Sequence, residues 1–300
     1  MKVLITGATG LIGKEITRKC HQADISVNYL TTSKDKIENK PEYKGFYWNP
    51  EQQEIDKACF NDVDAIIHLA GASIAERWTD SYKKEIISSR VDTAALLYKT
   101  LKASEIEIAH FISASAIGIY PSSLQKLYTE EDNGVDDSFL GEVVVKWEEA
   151  ANLFTDLGME VSKVRIGLVL AQDGGALQKM KEPVSLNVGT ALGSGKQWQS
   201  WIHLQDLAGV FVHVLQNKLP GIYNAVAPGP VTNKELINGI AKVLGKSIWL
   251  PNVPAIALKA ALGEMSAVVL SSQLVSAEKI IASGYDFQFK NLTKALEDIL

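Results

Sequence analysis

Three glycines near the start of the chain have the spacing of a site that binds a phosphate group. Gly7, Gly10 and Gly13 follow a short apolar run and open a helical pattern. In that setting the glycines permit a tight turn, a close approach of the backbone to a diphosphate, and close packing of the helix on the sheet. The amides at the helix start then face the anion. The motif predicts a dinucleotide site, and its alternative is a glycine-rich turn without a ligand. The cofactor-binding residues expected here are Gly7, Thr9, Gly10, Leu11, Ile12 and Gly13.

The residues after the second apolar run distinguish between the two common dinucleotides. A carboxylate at this place binds the ribose 2′-hydroxyl of NAD and repels the 2′-phosphate of NADP. This chain has Thr32, Ser33 and Lys34 instead. Because hydroxyls and an ammonium group can hold a phosphate, we expect NADP(H) as the cofactor, with NAD(H) as the less favoured choice. The alternative is a polar turn whose Lys34 points into water.

Short β-branched runs alternate with longer amphipathic stretches over the first 165 residues, which is typical of a parallel sheet flanked by helices. Strands are predicted at 2–6, 26–31, 65–68, 110–113 and 160–165, with crossover helices at 11–23, 80–103 and 138–157. The fold class is therefore α/β, a doubly wound parallel sheet of the NAD(P)-binding Rossmann type.

The local composition changes after Leu170, where segments that are rich in glycine and interrupted by proline begin. We expect residues 1–170 to form the Rossmann domain, with a later contribution from about 204–226. Residues 171–300 would form a smaller, mostly helical substrate lobe that includes a helical domain at 250–300. The helices predicted in this lobe are 206–216, 232–244, 254–262, 267–274, 276–283 and 292–300.

The composition excludes several classes of protein. A net charge of −5 offers no broad basic field for nucleic acid or an anionic membrane. The start of the chain has no signal or anchor pattern, and Cys20 and Cys59 cannot build a disulfide framework. The five histidines are scattered, so no metal site is expected. We expect a cytoplasmic protein whose partner is a small-molecule substrate, and a homodimer is compatible with the sequence.

Several further motifs resemble those of one family. They are His68-Leu69-Ala70-Gly71, Arg77-Trp78, Ser113-Ala114-Ser115-Ala116-Ile117-Gly118, Gly193-Ser194-Gly195-Lys196-Gln197 and Ser200-Trp201-Ile202-His203. Over essentially the whole chain the sequence resembles the extended short-chain dehydrogenase/reductases. More narrowly, it is similar to the NAD(P)-dependent epimerase-family proteins with a C-terminal domain of unknown function, which are related to nucleoside-diphosphate-sugar epimerases. The resemblance implies an NADP(H)-binding fold.

The resemblance also implies roles for particular residues. Leu69, Ala70 and Gly71 match a turn that lies against the adenosine and ribose of the cofactor; a plain small-residue turn is the alternative. Ser115 matches the catalytic serine that hydrogen-bonds the reacting oxygen, although a strand-end serine is often only a turn or cap residue. For Arg90, on the next helix, the alternatives are a role in the substrate pocket and structural packing.

The chain departs from the family at its Tyr-x-x-x-Lys pair, where it has Glu142 and Lys146. In the family the tyrosine is the general acid or base, while the lysine also holds the nicotinamide ribose, which Lys146 can still do. A glutamate serves more readily as a base than as an acid. The alternative is an ion pair on the helix surface. Tyr120 is a weaker candidate for the missing acid, because it lacks the family's spacing to Lys146.

In the family, the segment from Gly193 to His203 lines the substrate pocket. The substrate residues expected there are Lys196, Gln197, Trp201 and His203. Trp201 would stack on a flat or sugar-like molecule, and His203 would exchange protons near neutral pH. Structural packing is the alternative for each of them.

These observations lead to one functional hypothesis and one competitor. The first is an NADP(H)-dependent oxidoreductase or epimerase-like enzyme that acts on a small polar substrate, a nucleotide sugar or a carbonyl compound. Its catalytic residues would be Ser115, Glu142 and Lys146. The competitor is a non-catalytic NADP(H)-binding sensor or regulatory protein that has lost the family's tyrosine. Both require the cofactor, and they differ in turnover.

Overall fold

The computed structural model describes residues 1–104 and 106–300. The strands are β1 (Lys2–Thr6), β2 (Ser26–Thr31), β3 (Asn39–Lys40), β4 (Tyr43–Asn49), β5 (Glu54–Ile55), β6 (Ala65–His68), β7 (His110–Ala116), β8 (Leu127–Tyr128), β9 (Glu160–Ile166), β10 (Leu168–Leu170), β11 (Trp198–Gln199), β12 (Trp201–His203), β13 (Gly221–Ala225), β14 (Val231–Thr232) and β15 (Leu274–Val275).

The α-helices are α1 (Leu11–Gln22), α2 (Asp80–Ser104), α3 (Phe139–Asn152), α4 (Gly175–Ser185), α5 (Leu204–Gln216), α6 (Asn233–Val243), α7 (Ala255–Leu262), α8 (Ala267–Leu270), α9 (Glu278–Ala282) and α10 (Leu292–Ile299). The α3 helix continues into a 3₁₀ turn at Leu153–Leu157. The order of strands and helices along the chain confirms the predicted α/β class.

The central sheet has the strand order β13-β9-β7-β6-β1-β2-β4-β3, with β5 paired to β4. The pairs of β1 with β2 and β6, of β2 with β4, and of β6 with β7 are all parallel. In register, Ile5 of β1 lies opposite Tyr29 and Ile67. All residues of β6 are buried, as expected for a parallel strand covered on both faces. The predicted doubly wound sheet is confirmed.

Among the elements that differ from the expectation, β4 and the helix predicted at 267–274 show the physical reasons. The β4 strand was not predicted, because only Trp48 of its seven residues is buried and no strict alternation marks it. The predicted helix at 267–274 ends at Leu270, since Leu274 and Val275 pair as β15 with Leu127 and Tyr128 of β8. A short apolar run does not by itself distinguish strand from helix.

The chain divides into two compact units. The first consists of Met1–Ser115, Val143–Val164 and Ala208–Tyr223, and the second of Ala116–Glu142, Arg165–Leu207 and Asn224–Leu300. Within the first unit, α2 and α3 pack on one core, in which the rings of Phe111 and Phe154 stack 3.6 Å apart.

The second unit has its own core, built around Trp201, Leu236 and Leu296. There α6 begins with a capping box between Thr232 and Glu235, which satisfies amides that a helix start leaves open.

Candidate functional site

The glycine turn at the end of β1 has the geometry of an anion site. Gly7 has φ +71°, and its carbonyl accepts a hydrogen bond of 3.0 Å from the Gly10 amide. A Cβ on Gly13 would lie 2.2 Å from the Gly7 oxygen, so only glycine fits. Gly10 caps α1 without a side-chain hydrogen bond, and the first turn of the helix has no acidic residue. The amides at the start of α1 can therefore receive a phosphate.

A cleft of about 630 Å³ in the first unit begins at this turn. Thr32 and Ser33, which the sequence analysis names as candidate cofactor residues, line it together with Lys36, which sequence reasoning missed. The Lys34 ammonium lies 4.9 Å from the ring centre of Tyr47, another residue of the cleft wall. The loop after β2 thus brings hydroxyls and cationic side chains to one end of the cleft.

Ala70 and Gly71 line the same cleft, and their turn is held by side chains behind it. The amides of Leu69 and Ala70 donate to Oγ1 of Thr6 over 3.0 and 3.1 Å. Since Thr6 Oγ1 accepts both, its own hydrogen is directed to Nδ1 of His68, at 2.9 Å. The predicted cofactor turn is therefore tied directly to β1.

His68 continues this hydrogen-bond chain into α2. Its Nε2 lies 3.3 Å from Oγ1 of Thr93, whose hydroxyl donates to the Ser89 carbonyl over 2.7 Å. Nε2 therefore carries the ring hydrogen, and the imidazole is neutral. Burial lowers the pKa of His68 to about 4, because an apolar interior disfavours the charged form. His68 is a structural support of the cleft rather than a proton-transfer group.

Arg90 lies directly behind the turn at Gly71. Its guanidinium donates to the carbonyls of Ile86 and Ala72, at 2.8 and 3.1 Å. A Cβ on Gly71 would be 3.0 Å from the guanidinium carbon. The guanidinium also lies 4.8 Å from the ring centre of Trp147 on α3. A glycine at position 71 is what allows the arginine to lie against the backbone of the turn.

Ser115, at the end of β7, is 1% exposed, and its hydroxyl donates to Oε1 of Glu148 over 2.6 Å. The other carboxylate oxygen of Glu148 lies 3.8 Å from Nζ of Lys163. Sequence reasoning missed Glu148, although it left a signal. Glu148 is one helical turn from Val144 and Ala151 on the apolar face of α3, where an acidic residue needs a partner.

Glu142 and Lys146 lie one turn apart on α3, and both are exposed. Val143, Val144 and Trp147 form the buried face of that helix. The helix therefore brings the two predicted catalytic residues to one face, while the hydroxyl of Ser115 is directed to Glu148 instead.

The predicted substrate residues have different environments within the second unit. Lys196 is exposed. Gln197 is buried and donates to the carbonyls of Leu192 and Val269. Trp201 is 0% exposed, and its indole N–H donates to the Gly229 carbonyl over 2.7 Å. Both faces of that indole are covered, so its geometry favours the packing alternative over stacking on a substrate.

His203 and Tyr120 are also enclosed by the second unit. Nδ1 of His203 accepts from the Gln205 amide at the start of α5, and its ring stacks on Phe289. These contacts favour the packing alternative for His203. Tyr120 donates to Asn224 over 2.8 Å and accepts from Arg165, and burial raises the pKa of its phenol. Both side chains are engaged in structural contacts.

Two family models match the chain. One, described as the NAD dependent epimerase/dehydratase family, matches residues 3–137, and a domain of unknown function, DUF1731, matches residues 253–299. An epimerase family protein of Staphylococcus epidermidis is 36% identical over 305 residues, which cover 100% of this chain and 99% of that protein. The chain belongs to the epimerase family. The predicted resemblance, including the C-terminal domain, is confirmed.

Other epimerase family proteins match over similar lengths. One from Staphylococcus aureus is 36% identical over 301 residues, which cover 99% of this chain and 98% of that protein. The crystal structure of human epimerase family protein SDR39U1 with NADPH has 30% identity and a TM-score of 0.86, covering 100% of this chain and 99% of that chain. The epimerase family fold therefore extends over this whole chain.

Across residues 1–104 and 106–300, no helix combines the length and apolar character needed to cross a bilayer. Those described residues also contain no group of three or more His, Cys, Asp or Glu side chains placed to hold a metal ion.

Proposed function

We propose that this epimerase family protein is an NADP(H)-dependent oxidoreductase or epimerase-like enzyme that acts on a small polar substrate. The observation that carries the proposal is the cleft of the first unit, which joins the open start of α1 to a loop with Thr32, Ser33 and Lys36. The first feature suits a diphosphate and the second a 2′-phosphate. A relative crystallised with NADPH supports the same cofactor.

The residues present fit this cofactor. Without side chains, Gly13 packs against the Gly7 carbonyl and Gly7 against Leu69, which keeps the turn tight, and Gly7, Ala70 and Gly71 line the cleft. Lys146, by the family resemblance, would hold the nicotinamide ribose. When bound, the nicotinamide supplies or accepts a hydride; the protein must then move the accompanying proton.

Two glutamates compete for that proton. Glu142 occupies the position of the family's tyrosine, and its exposure on α3 leaves it open to solvent. Glu148 would act through Ser115. Because the Ser115 hydroxyl donates to Glu148, only its oxygen lone pairs remain for the substrate. Ser115 would then accept a hydrogen bond from a substrate hydroxyl, and its own proton would pass to Oε1 of Glu148 as the substrate proton reaches Oγ.

The experiment that tests the enzyme proposal follows deuterium from 4-deuterated NADPH into products, using a panel of carbonyl compounds and sugar nucleotides. Glu142→Gln and Glu148→Gln are compared with Glu149→Gln, an exposed neighbour on the same helix. If Glu148 handles the proton, only Glu148→Gln lowers transfer, by about 10²- to 10⁴-fold. Loss in Glu142→Gln alone assigns the role to the tyrosine position.

The second candidate is an NADP(H)-binding sensor without turnover. The observation that favours it is the glutamate at the tyrosine position. Tight binding of NADPH without transfer to any member of the panel would favour this candidate. Equal affinity for NADH and NADPH in a calorimetric titration would contradict the preference assigned to Thr32, Ser33 and the lysines beside them.

A further inference from the structure

Arg90 is a buried cation without a buried anion. Arg90 is 8% exposed, and its guanidinium donates hydrogen bonds to the backbone carbonyls of Ile86 and Ala72. Within residues 1–104 and 106–300, no carboxylate forms an ion pair with it, and its Nε has no hydrogen-bond partner. Burial lowers the pKa of Arg90 to about 10. A charge removed from water in this way is costly unless something of opposite sign is brought to it.

Beside Arg90 lies a second buried N–H group without an acceptor among the described residues, on the indole of Trp147. Trp147 is also 8% exposed, and in the described part of the chain its Nε1 lacks an acceptor. The guanidinium carbon lies 4.8 Å from the indole centre, so the two open donors belong to neighbouring side chains on α2 and α3. Buried N–H groups are paired in most proteins. Two of them together, one on a cation, leave a positive charge at this place that no buried anion offsets in the part of the chain that the structure describes.

This pair lies behind the wall of the cofactor cleft. Only the backbone of Gly71 and Ala72 separates the guanidinium from the cleft, because a Cβ on Gly71 would already touch it. Ser89 and Thr93, which flank Arg90 along α2, line the cleft themselves. The carboxylates of Glu85 and Asp92 line it too, but both are exposed to water. Screening by water weakens these exposed charges, whereas the charge of Arg90 acts through a dry interior.

We propose that Arg90, with Trp147 beside it, is the positioning residue for the phosphate groups that link the two halves of the dinucleotide. This inference rests on the proposed function, since it assumes that a dinucleotide occupies the cleft. Arg90 supplies the positive charge that offsets the diphosphate, and its bond to the Ala72 carbonyl keeps the turn at Gly71 in the shape that receives it. The amides of α1 alone would offset only part of that charge.

The test compares three ligands by calorimetry. NADPH and adenosine 2′,5′-bisphosphate both carry phosphate at the 5′ position, whereas adenosine 2′-monophosphate does not. Arg90→Met should weaken the first two by about 10- to 100-fold, the range to which the loss of an attraction between a weakly screened buried charge and a phosphate converts. The affinity of Arg90→Met for adenosine 2′-monophosphate should stay within about twofold of the wild-type value. Arg90→Lys keeps the positive charge but lacks the forked guanidinium group. Its loss of affinity for NADPH and adenosine 2′,5′-bisphosphate should therefore be smaller than that of Arg90→Met.

Thermal unfolding without ligand separates this role from a purely structural one. Arg90→Met loses the hydrogen bonds to Ile86 and Ala72 but also removes a buried charge that has no buried anion among the described residues, so the two effects oppose each other and the ligand-free Tm should change little. The stabilisation by NADPH should nevertheless fall. The exposed Arg18, which pairs with Glu15, provides the matched control Arg18→Met.

Two results would overturn the inference while leaving the proposed function intact. One is wild-type affinity of Arg90→Met for NADPH. The other is an equal loss for all three ligands, which would mean that Arg90 only shapes the cleft. Failure of the wild-type protein to bind NADPH would refute the proposed function itself, and this inference with it.

Discussion

Acid should destabilise this protein through two buried histidines. Burial lowers the pKa of His68 to about 4, and burial with a contribution from Lys218 lowers that of His110 to about 4. The unfolded chain binds these protons with a pKa of about 6.5. The contribution of these two histidines to the free energy of unfolding is therefore fully present above about pH 6.5, and it is lost as the pH falls from there towards 4. Between pH 7.5 and pH 5, each histidine should cost about 2 kcal/mol of unfolding free energy.

Urea unfolding at pH 7.5 and pH 5 measures this cost. His68→Gln removes one titrating group, so its stability should fall by about 2 kcal/mol less than that of the wild type over the same interval. His21→Gln is the control, because His21 is exposed. The reasoning would be refuted if His68→Gln and the wild type lost equal stability. His68 also supports the turn at Ala70 through Thr6, so the NADPH affinity of the folded protein should weaken only as the pH approaches about 4, where the folded protein itself protonates His68.

Three further substitutions test other parts of the structure. Gly13→Ala should abolish detectable NADPH binding and destabilise the fold by about 1–3 kcal/mol, measured by titration and urea unfolding, because its Cβ meets the Gly7 carbonyl. Thr32→Glu should weaken NADPH at least about tenfold and spare NADH, since a carboxylate repels the 2′-phosphate; an unchanged NADPH/NADH ratio would place the phosphate elsewhere. Trp201→Ala should lower the free energy of unfolding by about 3–5 kcal/mol without changing NADPH affinity, because Trp201 is a core residue bonded to Gly229. If Trp201→Ala kept the wild-type free energy of unfolding and lost only substrate affinity, Trp201 would be a substrate-binding residue as first predicted.

The sequence identified the elements that carry strong local signals. Strands β1, β2 and β6 have their predicted bounds, because continuous apolar runs flanked by turn residues are typical of strands buried on both faces. Strand β4 lacks such a run, and the short partner that turns Leu274 into a strand is about 150 residues away in sequence. Pairings of that kind are invisible to local periodicity.

The features of the candidate site also fall into those that local sequence patterns reveal and those that they do not. The Gly7 turn could be recognised because its spacing follows from the shape of a diphosphate. The contacts of Ser115 with Glu148, and of Arg90 with Trp147, join different elements of the fold. Type and spacing in the chain do not encode such contacts. Residue type and spacing do, however, show that Arg90 and Glu148 are charged residues on the apolar faces of α2 and α3, and a buried charge is expected to have a partner.

The division of the chain into interleaved segments affects how the protein can be made. The first unit needs Val143–Val164 and Ala208–Tyr223 in addition to its first 115 residues. On a ribosome, which adds about 5–20 residues each second, the first unit cannot be complete until residue 223 has emerged. For many seconds the strands of its sheet therefore exist without their last neighbours, and an open strand edge invites wrong pairing. Shielding of nascent chains by chaperones should matter more for this protein than for one whose domains are continuous in sequence.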